Sequence, residues 1–125
     1  MSDNFTLLWV GDRRHTPDVA TGLEKAGYKI IPSSDITDAV GILRGQNVDL
    51  IVLENETSCV QGELAAVRLK SATPRVPILL LCDPVESGTP QAFFVNLILP
   101  VRTSPELLLR SIRTLLPGAG RKTGT

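Results

Sequence analysis

Short apolar runs alternate with helical patterns along this chain, and that alternation constrains the fold more than any other feature. Thr6-Leu7-Leu8-Trp9-Val10 is a continuous apolar run ended by Gly11-Asp12, the pattern of a strand buried on both faces. Thr16-Pro17-Asp18 reads as an N-cap, a proline at the first helical position and an acid in the first turn. Val19, Leu23 and Ala26 then share one helical face, and Gly27 stops the helix. Tyr28 to Pro32 predicts a second strand. Ser34-Asp35 caps the next helix, whose buried stripe is Ile36, Ala39, Val40 and Leu43, with Gly45 at its end.

The second half repeats the pattern. Asp49-Leu50-Ile51-Val52-Leu53 is the third run, closed by the polar stretch Glu54 to Ser58. Gly62 to Lys70 predicts a helix burying Leu64 and Val67. Pro74 and Pro77 bracket the step into Ile78-Leu79-Leu80-Leu81-Cys82, and Phe93 to Leu99 is the fifth run, broken by Pro100. Ser104-Pro105-Glu106 starts a last helix with Leu108, Ile112, Leu115 and Leu116 on one face, and Pro117-Gly118 ends it. Five apolar strands alternating with helices require right-handed crossovers and a parallel sheet covered on both sides, a doubly wound α/β domain. Residues 83–92 contain Pro84, Gly88 and Pro90, so the helix there is expected to be one turn or missing. One domain over residues 1–116 and a mobile tail over 117–125 follow.

Charge and cysteine content narrow the function. Lys and Arg number 13 and so do Asp and Glu, which argues against coating nucleic acid or an anionic membrane by bulk charge. No apolar run reaches membrane-spanning length and Met1-Ser2-Asp3-Asn4 does not begin a signal peptide, so a cytoplasmic domain is expected. The zero net charge is a cancellation. Residues 31–63 carry Asp35, Asp38, Asp49, Glu54, Glu56 and Glu63 against Arg44, whereas residues 101–125 carry Arg102, Arg110, Arg113, Arg121 and Lys122 against Glu106. Cys59 and Cys82 follow neighbouring strands at one edge of the sheet. A redox pair fits that geometry, but free thiols are the expectation in a reducing compartment.

In such a sheet, sites form outside the carboxyl ends of the strands, where the strand order reverses. These ends are Gly11-Asp12, Glu54-Asn55-Glu56, Cys82-Asp83 and Leu99-Pro100. Here the chain resembles the receiver domain of bacterial two-component response regulators, from about Phe5 to Leu116. Leu7 to Asp12 looks like the first strand with its acidic pair, and Asp49 to Glu54 like the third strand with its phosphoryl-accepting Asp. Gly62 and Leu64 sit where the family usually has Gly and Leu. Pro77 to Cys82 looks like the fourth strand, Leu97 to Pro100 like the fifth with its Lys-Pro, and Ser104 to Leu116 like the last helix. The resemblance implies a flavodoxin-like sheet of order 2-1-3-4-5 and a cis bond at Leu99-Pro100.

The family's chemistry uses two first-strand acids and the acceptor Asp to hold Mg²⁺, with a Lys and a hydroxyl engaging the phosphoryl group and an aromatic residue reporting it. This chain keeps Asp12 alone. Gly11 replaces the first acid, Glu54 the acceptor, Cys82 the hydroxyl, Leu99 the Lys and Asn96 the aromatic. Leu99 cannot pair with a phosphoryl charge of about −1.5 to −2. Without a metal, two carboxylates ~4 Å apart repel by roughly 4 kcal/mol at an effective dielectric of 20, which rationalises the loss of an acid at Gly11.

The expectation is therefore a degenerate receiver: a protein-interaction module in signal transduction, neither phosphorylated nor an enzyme, with no required cofactor. Asp12, as a remnant ligand, and Glu54 with waters are enough only for weak Mg²⁺ binding. Glu54 is expected as a solvated carboxylate at a strand end, with phosphoryl mimicry the sharper alternative. The last-helix face is the expected partner surface, with Phe93, Phe94, Arg102, Arg110 and Arg113 meeting another protein or a second copy. Two competing readings are a still-active receiver and a small-molecule sensor with an apolar cavity near Leu99, Cys82 and Phe94. His15, beside Arg13 and Arg14, is expected in an exposed loop that could attract an anion.

Overall fold

The computed structural model describes residues 5–11, 17–55, 59–82 and 95–116. Five strands, β1 (Thr6–Val10), β2 (Lys29–Ser33), β3 (Leu50–Asn55), β4 (Ile78–Cys82) and β5 (Leu97–Pro100), form one parallel sheet in the order β2-β1-β3-β4-β5. The described helices are α1 (Pro17–Lys25), α2 (Ile36–Gly45), α3 (Cys59–Ala72) and α4 (Pro105–Leu115). The doubly wound architecture and its strand order are those expected. The helix expected to be short or missing lies in a stretch outside the described residues, as do Asp12, His15, Phe93, Phe94 and the tail over 117–125.

Two-sided burial explains why the strands read as unbroken apolar runs. Leu7 and Trp9, Leu50 and Val52, Leu79 and Leu81 point to one face, where Val19 and Leu23 of α1 and Leu108 and Ile112 of α4 cover them. Leu8 and Val10, Ile51 and Leu53, Ile78, Leu80 and Cys82 point to the other, under Ala39 of α2 and Ala66 and Leu69 of α3. Each fully buried aliphatic side chain contributes about 1.5–3 kcal/mol, so both layers carry stability. Pro32 lacks an N–H and sits in β2, an edge strand where no further ladder bond is needed.

The caps follow the residue types. Asp35 accepts from the Asp38 N–H at 2.8 Å and Ser104 from the Leu107 N–H at 3.3 Å, fixing the starts of α2 and α4. Gly27 adopts φ +101°, a left-handed stop that leaves Ala26 exposed beyond the helix rather than in its apolar stripe.

The phase of α3 differs from the expected one. Leu64 and Val67 are 57% and 37% exposed, whereas Cys59, Gly62, Ala66 and Leu69 face the sheet. The reason is close approach. A Cβ at Gly62 would lie 2.6 Å from Leu80 Cδ1 and 3.1 Å from its Cδ2, so the helix lays its small residues on the sheet and turns its larger ones outward. Replacing Gly62 with Val should therefore destabilise the fold by about 1–3 kcal/mol through overpacking against Leu80, read by chemical denaturation.

Candidate functional site

The carboxyl edge of the sheet is built in rows. Leu81 on β4 stands between Glu54 on β3 and Leu99 on β5. One step further along, Cys82 stands between Asn55 and Pro100. Because side chains alternate along a strand, Glu54 and Leu99 share the face covered by α1 and α4, while Cys82 points to the face covered by α2 and α3.

Glu54 is not the solvated carboxylate expected at a strand end. It is 8% exposed, and its Oε1 accepts the indole N–H of Trp9 at 3.0 Å. Trp9 is fully buried and registers with Val52, two residues before Glu54 on the same face. A buried indole N–H without an acceptor is costly, and the added methylene of Glu over Asp carries the oxygen back along the strand to reach it. At this position the acid holds a core tryptophan.

Gly11 has a steric role rather than the electrostatic one suggested by sequence. Its φ is +127°, its N–H donates to the Ser33 carbonyl at 2.9 Å, and a Cβ there would lie 2.7 Å from Glu54 Cβ. An acidic side chain at this position is excluded by backbone conformation and by the neighbouring glutamate at once. The divalent metal of receiver chemistry therefore does not fit the described residues. Gly11 offers no ligand, and Glu54 Oε1 is engaged by the indole. Asp12 lies outside the described residues.

Cys59 and Cys82 are joined in a disulfide with a Cα–Cα separation of 5.0 Å, correcting the expectation of free thiols. Geometry overrides composition here: the last residue of β4 faces α3, and α3 begins three residues earlier than its apolar pattern indicates. The bond spans 23 residues of sequence, and closing a loop of that size contributes about 3 kcal/mol in a chain-entropy treatment. Strand alternation separates two of the residues expected to line a sensor cavity, because Cys82 and Leu99 occupy opposite faces of the sheet.

Asn96, aligned with the reporting aromatic, sits just before β5 at the opposite end of the sheet from Glu54. Its N–H donates to the Ile78 carbonyl at 2.8 Å and its Oδ1 accepts from the Ile78 N–H at 3.0 Å. Asp49 does the same for β3 and β1: its N–H donates to the Thr6 carbonyl and its Oδ2 accepts from the Thr6 N–H, both at 2.8 Å. Each side chain substitutes for one rung of a ladder and sets strand register. Pro100 turns the chain toward α4, its carbonyl accepting from the N–H and hydroxyl of Thr103 at 3.0 and 2.7 Å. Leu99 packs, half-buried, against the core beneath α1 and α4.

Four acids of the acidic middle make hydrogen bonds to the fold's own groups. Asp35 caps α2, Asp38 accepts from the Ser33 hydroxyl at 2.8 Å, Asp49 sets register and Glu54 is buried. The basic end differs: Arg102, Arg110 and Arg113 are exposed, and Leu107, 45% exposed, lies three residues before Arg110 on α4. Sequence reasoning missed an open cavity of about 270 Å³ between α2 and α3, lined by Val40, Arg44, Arg68, Ser71 and Ala72. Its lining mixes arginines with small residues, which no apolar period signals.

No protein-family model matches the chain. Among curated proteins it is 26% identical over 112 residues to the Autoinducer 1 sensor kinase/phosphatase LuxN of Vibrio campbellii and of Vibrio harveyi, over 89% of this chain but 13% of theirs. Among solved structures it resembles the chemotaxis protein CheY4 of Vibrio cholerae, with TM-score 0.73, 22% identity and coverage of 90% of this chain and 99% of that one. A two-component response regulator from Clostridium difficile superposes with TM-score 0.77 at 19% identity, covering 98% and 100% of the two chains. A third neighbour is the complex of histidine kinase ThkA with response regulator TrrA, at TM-score 0.73, 18% identity, 90% and 98% coverage. The fold is that of CheY-like response regulators.

Glu54→Leu should cost about 1–3 kcal/mol by leaving the indole N–H unpaired, while Glu54→Gln keeps an acceptor and costs less. The chain has a single tryptophan, so its fluorescence during denaturation reads both variants directly.

Proposed function

We propose that this domain is a protein-interaction module in cytoplasmic signal transduction that works without phosphorylation and catalyses no reaction of its own. The observation that carries the reading is the packing of Glu54. Its carboxylate is folded back onto Trp9 at 3.0 Å, and the position of a first-strand acid is filled by Glu54 Cβ 2.7 Å from where a Gly11 side chain would begin. Leu99 adds no cation and Cys82 no hydroxyl at the same edge. A nucleophilic carboxylate, a metal cradle and a charge-sensing Lys are what phosphoryl transfer needs, and the side chains here serve packing instead.

What remains for such a domain is recognition. One structural neighbour was solved with a histidine kinase bound to its response regulator, which supports a protein partner for this chain as well. The α4 face offers the matching chemistry: an exposed leucine, Leu107, three residues before Arg110, with Arg113 and Arg102 exposed as well. An exposed leucine with arginines on the same helix suits a partner surface that pairs an apolar patch with acidic groups.

Co-purification of the tagged chain from its native host identifies the partner, and affinity of the purified pair then tests the surface. Arg110→Glu combined with Arg113→Glu should weaken binding by at least about tenfold, with a reduced association rate at low salt. Glu54→Gln should leave affinity unchanged. Loss of binding on Glu54→Gln, with Arg110 and Arg113 substitutions silent, would instead favour a switch that depends on the Glu54 charge.

A further inference from the structure

We propose that Cys59 and Cys82 form a reversible thiol–disulfide site through which ambient redox state controls how firmly the first half of α3 is held to the carboxyl edge of the sheet. They are the chain's two cysteines, and the fold brings them from the ends of different elements to a Cα separation of 5.0 Å. Both sheet faces are already covered by aliphatic side chains, and a chain of this length closes a core without a staple. In the reducing compartment proposed above, disulfides that do form are mostly transient, catalytic or redox-sensing. To that extent the inference rests on the cytoplasmic reading.

The local anatomy gives the bond a task. Besides Cys59, the described residues of the first half of α3 that face the sheet are Gly62, Ala65 and Ala66, all small. Leu69 anchors the second half with full burial. The two sulfurs also differ in access. Cys82 is fully buried, whereas Cys59 retains 7% exposure at the first residue of α3, and access to a thiol governs how fast it exchanges. Cys59 is therefore the entry point and Cys82 the resolving thiol.

A low-molecular-weight disulfide such as oxidised glutathione supplies the oxidant. The Cys59 thiolate attacks one of its sulfurs, a mixed disulfide forms, and one glutathione thiolate leaves. The Cys82 thiol loses its proton to solvent and attacks Cys59 Sγ, the Cys59–glutathione bond breaks, and the second glutathione thiolate leaves. Two protein thiols are oxidised by two electrons, one glutathione disulfide is reduced to two thiols, and the two protons released by the protein end on them. Reduction reverses each step.

The test equilibrates the purified chain in a series of reduced-to-oxidised glutathione ratios, quenches with acid, and counts alkylated thiols by mass spectrometry. Hydrogen–deuterium exchange is followed in the same samples. The expected result is one reversible transition between a two-thiol and a disulfide form. Amides over residues 62–66 should exchange at least about tenfold faster in the reduced form, with β3 and β4 unchanged. Cys59→Ser should show the fast exchange at every ratio, and Cys82→Ser should retain one glutathione on Cys59. Should Cys82→Ser fail to fold, Cys59→Ser and the two states of the unaltered chain carry the comparison. Thiols that stay free throughout, a bond that survives excess reduced glutathione in the native protein, or α3 exchange that ignores the thiol count would each overturn the proposal. Partner binding plays no part in this readout, so failure here leaves the interaction reading standing and the reverse also holds.

Discussion

A tryptophan at the centre of a doubly covered parallel sheet has to find an acceptor for its indole N–H within the core, and in this fold Glu54 supplies it at 3.0 Å. Much of the carboxyl edge is arranged around that contact. Glu54 Cβ, placed by the β3 backbone, lies 2.7 Å from where a side chain at Gly11 would begin. The backbone at Gly11 adopts a φ of +127° that side chains rarely tolerate. The buried hydrogen bond accounts for the long acid, and the backbone of Gly11 with its close approach to β3 accounts for the missing one.

The alternation of side chains along a strand separates the remaining features. Glu54, Leu81 and Leu99 belong to the layer under α1 and α4, while Cys82 belongs to the layer under α2 and α3. Positions that would converge on one phosphoryl group in a working receiver here serve two different packing tasks, indole satisfaction on one face and a sulfur bridge on the other. On α4, the burial of Leu108 and Ile112 on one side of the helix leaves Arg110 and Arg113 exposed.

The sheet, its strand order and most helix boundaries were legible because two-sided burial writes long apolar runs and because caps such as Asp35 and Ser104 are chemically distinctive. The substituted edge positions were legible too, as departures from a spacing pattern. What each substitution does was not. Periodicity assigns Leu64 and Val67 to the core because it weighs hydrophobicity, whereas the sheet selects the small face of α3 so that Gly62 can approach Leu80. Cys59 and Cys82 read as separate thiols because their pairing depends on where α3 begins. The acids of residues 31–63 read as a charged face because sequence does not reveal that Asp35, Asp38, Asp49 and Glu54 are turned to caps, register and the core.

Trp9 makes the central proposal, that this edge performs no phosphoryl chemistry, directly measurable. The chain's single indole is hydrogen-bonded to the side chain at the acceptor position, so anything that engages Glu54 must disturb its emission. The decisive measurement is a fluorescence titration of the intact chain with Mg²⁺ together with beryllofluoride, repeated with acetyl phosphate and followed by intact mass. The account predicts an unchanged emission spectrum and no mass increase. A saturable change in Trp9 emission that requires both ions, or a stable phosphoryl adduct mapped to Glu54, would contradict it.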